Sequence, residues 1–203
     1  MEACVDISAE GLEREAIYKL MSGAIAPRPV AWITTKARNG VVNAAPFSSY
    51  TIISQVPPLI LFQANSAGGE KDTIVNIRAT SEFVVNVVTL PQLEKAHACS
   101  ARLPPEASEP EAFGIALTDS VTVTPPRVAG CPVALECRSY QLFDIGEEPH
   151  TVVIGRITSF HVADDVYTSG RIDQRKLMAV ARIGGPYYAV MKELIHMPAP
   201  PEH

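Results

Sequence analysis

The strongest structural signal in the chain is APRPVAWITTKARNGVVNAAPFSSY, residues 26–50. It starts with a β-rich run, Val30 to Lys36, crosses a polar Arg38-Asn39-Gly40 segment, and returns through Val41 to Ala45. Asn-Gly between two β-rich runs predicts a hairpin with a type I′ turn, in which both central residues need positive φ. The next segment, Pro46 to Tyr50, is small and hydroxyl-bearing where a core strand would carry large aliphatic side chains. We therefore expect a polar patch beside an apolar ladder.

This passage resembles the flavin reductase-like family, whose FMN-binding split barrels carry a Pro-Arg-Pro-Val-Ala-Trp strand followed by an Asn-x-Ala-Pro-Phe-Ser segment. Lys71-Asp72-Thr73 resembles the start of the family's next helix, and the likeness covers roughly residues 15–190 in the expected order. Its later parts are residues 82–86, 133–137, 150–157 and 182–187. The resemblance implies a mainly β fold: an antiparallel, Greek-key, FMN-binding split barrel with peripheral helices, forming one domain over residues 1–203.

Composition argues against several classes of function. The 203-residue chain is 47% hydrophobic and 19% charged, with a net charge of -5. Because phosphate contacts need clustered Lys and Arg, we expect no nucleic-acid partner. No apolar run approaches the ~18 residues of a membrane span, and the N-terminus lacks the pattern of a signal peptide. We expect a cytoplasmic protein without membrane association. The cysteines and histidines fit no metal spacing, so free thiols and no metal are expected.

Many short strands, helices at the edges and no βαβ alternation favour an antiparallel barrel over a doubly wound sheet. No Gly-x-Gly-x-x-Gly follows a strand, so any nicotinamide must bind over the flavin without a module of its own. The expected later strands are residues 50–54, 59–63, 83–89, 120–124, 133–143, 150–162 and 187–191, and the later helices are 72–79, 91–101 and part of 172–181.

Three further segments carry specific expectations. Residues 12–22 predict an amphipathic helix packed on the barrel, and Val56-Pro57-Pro58 predicts a sheet boundary. The proline-rich residues 103–110 predict an exposed loop without regular structure. In the family this region tends to lie near the mouth of the flavin site, so it either shapes substrate access or is a plain connection. Residues 198–203 predict a flexible tail.

The candidates for contacts with the flavin ring and ribityl chain lie on the hairpin. Small residues would let the ring approach backbone N–H groups, and hydroxyls would donate to its oxygens. These candidates are Trp32, Ile33, Thr34, Asn43, Ala45, Pro46, Phe47, Ser48 and Ser49. For Trp32, ordinary core packing is an equal alternative.

For the phosphate, the candidates lie at the start of the predicted helix, where unpaired N–H groups favour anions. They are Lys71, Asp72 and Thr73, with Arg28 as a weaker candidate. The prolines on either side of Arg28 stiffen its backbone, so its guanidinium could be aimed at the phosphate. From the residues alone, Asp72 is an N-cap, Lys71 a solvated lysine and Arg28 a surface arginine.

Two further residues acquire roles through the resemblance. It places His150 close to the flavin's reacting face, where it would orient nicotinamide or donate a proton to reduced flavin. Tyr187 matches a family aromatic that reaches the flavin, sometimes across a subunit boundary. Without the resemblance, His150 is a turn residue and Tyr187 an ordinary barrel tyrosine. The resemblance also implies a homodimer that completes two flavin sites.

Two functional hypotheses follow. The first is an FMN-dependent oxidoreductase in which NADH or NADPH reduces FMN, and the electrons pass to free flavin, oxygen or a partner monooxygenase. The alternative is an FMN-binding electron carrier or flavoprotein oxygenase without a nicotinamide site. A haem-binding split barrel ranks third, because no histidine lies in an evident axial-ligand context.

Overall fold

The computed structural model describes residues 4–66, 68–148 and 150–200. The strands, in chain order, are β1 Arg28–Pro29, β2 Ala31–Lys36, β3 Val42–Phe47, β4 Tyr50–Gln55, β5 Pro58–Asn65, β6 Glu82–Val87, β7 Leu117–Thr118, β8 Arg127–Val128, β9 Val133–Ile145, β10 His150–Val162, β11 Tyr167–Thr168, β12 Arg171–Ile172, β13 Val180–Arg182 and β14 Tyr188–Val190. The α-helices are α1 Arg14–Ala24, α2 Asp72–Thr80, α3 Leu93–Ala98, α4 Glu109–Ala112 and α5 Gln174–Leu177, with 3₁₀ turns at Leu90–Gln92 and Asp164–Val166.

Seven strands form one antiparallel sheet in the order β3-β2-β6-β9-β10-β5-β4. Its two edge strands, β3 and β4, are consecutive in the chain and are separated only by Ser48 and Ser49. Because three Cα–Cα steps span at most about 11 Å, the sheet has to curl until its edges approach each other. The strand β5 lies beside β10 although β6 and β9 intervene in sequence, which is a Greek-key connection.

The predicted hairpin is confirmed, but its type I′ turn is wrong. Only Gly40 of the central residues has positive φ, at 94°. The N–H of Gly40 donates to the carbonyl of Ala37 at 2.9 Å, and the N–H of Ala37 donates to the carbonyl of Val41 at 2.8 Å. This is a three-residue connection that ends in a left-handed glycine. It pairs Lys36 with Val42 and sets the register of β2 against β3.

Strand β2 is covered on both faces because alternate side chains enter two hydrophobic clusters. Ile33 faces the inside of the curled sheet, where Phe62 packs against Phe47 at 5.1 Å and Phe83 at 5.5 Å between ring centroids. Trp32 faces the opposite side and packs with residues of β3, α3 and β8. Every residue from Ala31 to Thr35 is therefore buried.

The helix predicted over residues 12–22 is confirmed as α1, but its contact with the rest of the chain is slight. Only Ser22 of this helix is buried, while Tyr18 is 60% and Met21 56% exposed. The guanidinium of Arg28 ties the end of α1 to β1 by donating to the carbonyls of Ser22 at 3.0 Å and Ile25 at 2.5 Å. Much of the apolar side of α1 thus remains exposed within one protomer, although Ala16 and Ile17 are half-buried.

The strand predicted at residues 120–124 is also wrong, and a buried carboxylate explains the irregular backbone. Glu136 Oε1 accepts from the N–H of Val121 at 2.7 Å, and Oε2 accepts from the N–H and Oγ1 of Thr122, each at 2.6 Å. The ring of His161 bonds the same carboxylate. Although burial alone raises the pKa of Glu136, these hydrogen bonds lower it to about 2.

Val56-Pro57 joins β4 and β5 as a tight hairpin and Pro58 begins β5, so β4 rather than the proline segment forms the boundary of the sheet. The helix expected over residues 91–101 is a 3₁₀ turn followed by α3, and the helix within 172–181 is the short α5. Of the predicted tail, residues 198–200 form no helix or strand, and 201–203 lie outside the described residues. Within the described ranges, no helix is long and apolar enough to cross a membrane.

Candidate functional site

Two cavities flank the end of β3. The helix cavity, of about 170 Å³, lies between β3, the start of α2 and the segment after α3. It is lined by Asn43, Ala45, Pro46, Phe47, Glu70, Lys71, Asp72, Thr73, Cys99, Ser100, Ala101, Arg102, Leu103 and Glu109. The tyrosine cavity, of about 190 Å³, is lined by Tyr18, Val30, Pro46, Phe47, Ser48, Ser100, Arg182 and Tyr188. Both cavities share Pro46, Phe47 and Ser100, so they adjoin across these residues.

The helix cavity contains an arrangement suited to an anion. Lys71 is the N-cap of α2, and its carbonyl accepts from the N–H groups of Ile74 at 2.8 Å and Val75 at 3.1 Å. The first N–H groups of a helix have no intrahelical partner and carry partial positive charge. Arg102 also lines this cavity and supplies a second cation, and its Nη1 donates to the carbonyl of Gly68 at 2.6 Å. Glu70, also on the wall, is paired with Arg78 at 2.9 Å.

A buried hydrogen-bond network forms the floor of the helix cavity. Glu109 is only 4% exposed, and its Oε2 accepts from Asn43 Nδ2 at 2.9 Å and from the N–H of Ala44 at 3.0 Å. Asn43 Oδ1 in turn accepts from Thr73 Oγ1 at 2.8 Å. The network joins α4, β3 and α2, which fixes the start of α2 against the sheet.

This network corrects the prediction for residues 103–110. The end of that segment is buried rather than exposed, because Ser108 Oγ donates to the carbonyl of Val42 at 2.8 Å and Glu109 begins α4. Leu103 and Glu109 line the helix cavity, so this segment forms part of the cavity wall.

Burial also raises the pKa of the nearby Cys99 thiol to about 12, which keeps it protonated at neutral pH.

Aromatic and cationic side chains shape the tyrosine cavity. Arg182 lies over the ring of Tyr188, with its Cζ atom 4.6 Å from the ring centroid. The hydroxyl of Tyr188 is 3.0 Å from His97 Nδ1, and the two rings meet edge to face. The cavity therefore combines a flat aromatic surface with one guanidinium group.

Comparison with known proteins identifies the family. The family model of the flavin reductase like domain matches residues 21–179. This chain is a member of the flavin reductase-like family. The prediction drawn from the hairpin and the helix start is confirmed.

Three solved structures resemble this flavin reductase-like protein over nearly its whole length. Nitrilotriacetate monooxygenase component B from Bacillus cereus has a TM-score of 0.93 and 32% identity, covering 97% of this chain and 100% of that one. The 2-nitrobenzoate 2-nitroreductase NbaA from Pseudomonas fluorescens has a TM-score of 0.89 and 29% identity, with 97% and 96% covered. A flavin reductase with a split barrel domain from Shewanella frigidimarina has a TM-score of 0.86 and 25% identity, with 97% and 100% covered. The predicted split-barrel fold is confirmed.

In the flavin reductase-like chain, most candidates from β3 and α2 come together. Those that line a cavity are Asn43, Ala45, Pro46, Phe47, Ser48, Lys71, Asp72 and Thr73. Asp72 is the first helical residue and not the N-cap, which is Lys71. Thr73 commits its hydroxyl proton to Asn43, so its backbone N–H remains as the donor for an anion.

The candidates from β2 do not line either cavity. Trp32 and Ile33 belong to the two hydrophobic clusters, and Thr34 Oγ1 donates to the carbonyl of Pro126 at 2.5 Å. The physical reason is that β2 lies between β3 and β6, with both of its faces covered. Trp32 therefore has the surroundings of a core residue, which was the alternative to its role as a flavin contact. Ser49 is exposed, and its carbonyl accepts from the N–H of Gln63 at 2.9 Å.

Three other candidates lie apart from the two cavities. Arg28 uses its guanidinium on backbone carbonyls, including that of Ile183 at 2.9 Å. His150 begins β10, where its Nδ1 lies 2.8 Å from the carbonyl of Glu148. Tyr187 is 69% exposed, whereas its neighbour Tyr188 lines the tyrosine cavity.

Sequence reasoning missed several residues that line the cavities, among them Ser100, Arg102, Glu109, Arg182 and Tyr188. Arg182 lies in the motif that carried the family resemblance, and Tyr188 directly follows it, so both could have been considered. The family resemblance pointed to the segment that contains Glu109, but the residue itself gave no signal, because a carboxylate in a proline-rich segment is ordinarily solvated. Only its contacts with β3 reveal its position.

Proposed function

We propose that this protein is an FMN-dependent oxidoreductase that NADH or NADPH reduces and that passes electrons to free flavin, oxygen or a partner monooxygenase. The observation that carries the proposal is the pair of adjoining cavities, one with an anion-binding end and one with an aromatic wall. Each is smaller than the ~300 Å³ at which pockets for drug-sized ligands begin, so a cofactor of that size would need both.

The residues present fit FMN in its three chemical parts. Lys71, Arg102 and the first N–H groups of α2 would hold the phosphate. Glu109 is an acceptor, which suits a ribityl hydroxyl and not a phosphate oxygen. Pro46 and Phe47 stand where the two cavities adjoin, and Tyr188 offers a ring surface beyond them. The donors for the phosphate thus lie at one end of the site, and the ring of Tyr188 lies at the other.

FMN and the protein contribute different parts of the proposed activity. Bound FMN supplies the redox chemistry by accepting a hydride and releasing electrons. The side chains of this protein bind and orient the cofactor. The buried Glu109–Asn43–Thr73 network fixes the position of β3 relative to α2 beside it. Since His150 and Tyr187 line neither cavity of their own protomer, we propose that they take part in the reaction only within a dimer.

A homodimer is supported by apolar surface that one protomer leaves uncovered. Tyr18, Met21 and Ile25 are exposed on or beside α1, and Ile52 and Val56 are exposed on the edge hairpin of the sheet. Burial of such surface is the main driving force of association. Light scattering during gel filtration should therefore give a mass of about twice the 21.9 kDa of one chain. A mass of one chain at micromolar concentration would contradict the dimer.

The oxidoreductase hypothesis predicts a direct spectroscopic result. After loading with FMN and removal of oxygen, NADH or NADPH should bleach the yellow absorbance of the bound flavin. Dithionite serves as the control, because it reduces flavin without a nicotinamide site. If dithionite bleaches the flavin and neither nucleotide does, the reductase hypothesis is lost, and an electron carrier or oxygenase without a nicotinamide site takes its place.

Similarity to nitrilotriacetate monooxygenase component B supports a monooxygenase as the electron-accepting partner. We further propose that the protein works in the cytoplasm, since Cys4, Cys99, Cys131 and Cys137 are free thiols.

A further inference from the structure

Arg182 holds a fixed position on the wall of the tyrosine cavity. It ends β13 directly opposite Tyr188 of β14. Its Cζ atom lies 4.6 Å from the centroid of the Tyr188 ring, and its Nη2 donates to the carbonyl of Gly185 at 2.5 Å. Stacking on a ring together with a backbone hydrogen bond restricts the long arginine side chain, so less entropy is lost when it binds a ligand.

Tyr188 is itself held in place. Its hydroxyl is 3.0 Å from His97 Nδ1, and the two ring planes meet at 88° with centroids 5.7 Å apart. The ring on which the guanidinium lies is therefore braced from α3. Arg182, Tyr188 and His97 form a continuous row from the cavity wall to the neighbouring helix.

The charge of this cavity differs from that of the helix cavity. Arg182 is the only charged residue among the residues described as lining the tyrosine cavity, whereas the helix cavity also contains carboxylates. Within the described part of the chain, Arg182 forms no ion pair with an acidic side chain. A guanidinium without a carboxylate partner, beside an aromatic surface, suits a flat ligand that carries an oxyanion.

We propose that Arg182 binds the oxyanion, a phosphate or a carboxylate, of the second substrate that docks beside the flavin. This inference rests on the proposed function, which places the phosphate of FMN at the other end of the site, near Lys71 and Arg102. Arg182 would then select anionic substrates over neutral ones of the same shape. Three sources of the oxyanion can be told apart: the diphosphate of NADH, the additional phosphate of NADPH, and the carboxylate of an aromatic acid.

The test compares FMN-loaded wild-type protein with Arg182→Gln, Arg182→Lys and the matched control Arg171→Gln. Arg171 is exposed on β12 and lines neither cavity. Three quantities are measured for each protein: the dissociation constant of FMN by fluorescence quenching, the dissociation constants of NAD⁺, NADP⁺ and benzoate from perturbation of the flavin spectrum, and KM and kcat with NADH and NADPH.

For Arg182→Gln we expect the dissociation constant of at least one anionic ligand to rise roughly 10- to 100-fold, with the FMN dissociation constant within about threefold of wild type. KM should rise more than kcat falls. Arg182→Lys should give an intermediate loss, because lysine keeps the charge without the planar fork. If only NADP⁺ binds more weakly, Arg182 contacts the additional phosphate. If both nucleotides bind more weakly, it contacts the diphosphate. If benzoate binds more weakly, it contacts carboxylates.

Two results would overturn the inference. Unchanged dissociation constants for all three ligands would show that Arg182 meets no oxyanion, and a parallel loss of FMN affinity would place the arginine in the flavin site itself. The FMN titration of the wild-type protein separates this failure from failure of the proposed function. If the wild-type protein binds no FMN, the proposed function is lost; if it binds FMN and only the variant comparison fails, this inference alone is lost.

Discussion

Simultaneous replacement of Lys71 and Arg102 by alanine should weaken FMN binding by about 2 to 4 kcal/mol. Both cations line the helix cavity at the start of α2. Charge-assisted hydrogen bonds contribute about 1.5 to 3 kcal/mol each, and neighbouring contributions add incompletely. Fluorescence titration of the flavin-free protein with FMN measures the effect. The variant should also depend less on salt, because fewer charges contact the ligand.

Riboflavin is the ligand control, since it lacks only the phosphate. Its affinity should change by less than about threefold in the same variant, because the ring and ribityl contacts remain. The matched protein control is Arg175→Ala with Lys192→Ala. This variant also loses one arginine and one lysine, but at exposed positions outside the cavities. An equal loss for riboflavin and FMN would mean that the phosphate binds elsewhere. Thr73 is left unchanged here because its hydroxyl bonds Asn43, so its replacement would disturb the buried network as well.

Glu136→Gln should lower the free energy of unfolding at pH 7 by about 3 kcal/mol. The carboxylate is fully buried and accepts from the backbone of Val121 and Thr122, from the Thr122 hydroxyl and from His161. Glutamine keeps the size but turns one acceptor into a donor that faces these N–H and O–H groups. Urea unfolding followed by circular dichroism measures the change. Glu94→Gln is the matched control, because Glu94 is exposed on α3.

The same residue predicts a pH dependence. The pKa of Glu136 is lowered from 4.5 to about 2 in the folded protein, so its stabilising contribution is complete above about pH 4.5 and is lost as the pH falls toward 2. The difference in unfolding free energy between wild type and Glu136→Gln should therefore shrink on acidification from pH 5 to 3, whereas Glu94→Gln should show no such trend. A difference that stays constant over this range would contradict the assignment.

Local patterns were enough to predict the hairpin, the helix that begins at Asp72, and the long strands β9 and β10. Each of these elements depends on residues close in sequence: Asn39-Gly40 between β-rich runs, or Lys71-Asp72-Thr73 ahead of a helical segment. The predictions that were wrong also rested on local sequence patterns. Residues 120–124 have strand-like composition but fold around the carboxylate of Glu136, which outweighs their β propensity. Helix α1 has an apolar side that is largely exposed within one protomer.

By itself, the sequence determined the family, most of the long strands and the two segments, residues 43–47 and 71–73, that meet at the helix cavity. Only the tertiary structure decided that β2 is buried on both faces, that Glu109 returns to bond Asn43, and that Arg182 and Tyr188 form the second cavity. The physical reason is the distance along the chain. Propensity and turn chemistry act over a few residues, whereas the partner of Asn43 lies 66 residues away, and only the completed fold brings the two together.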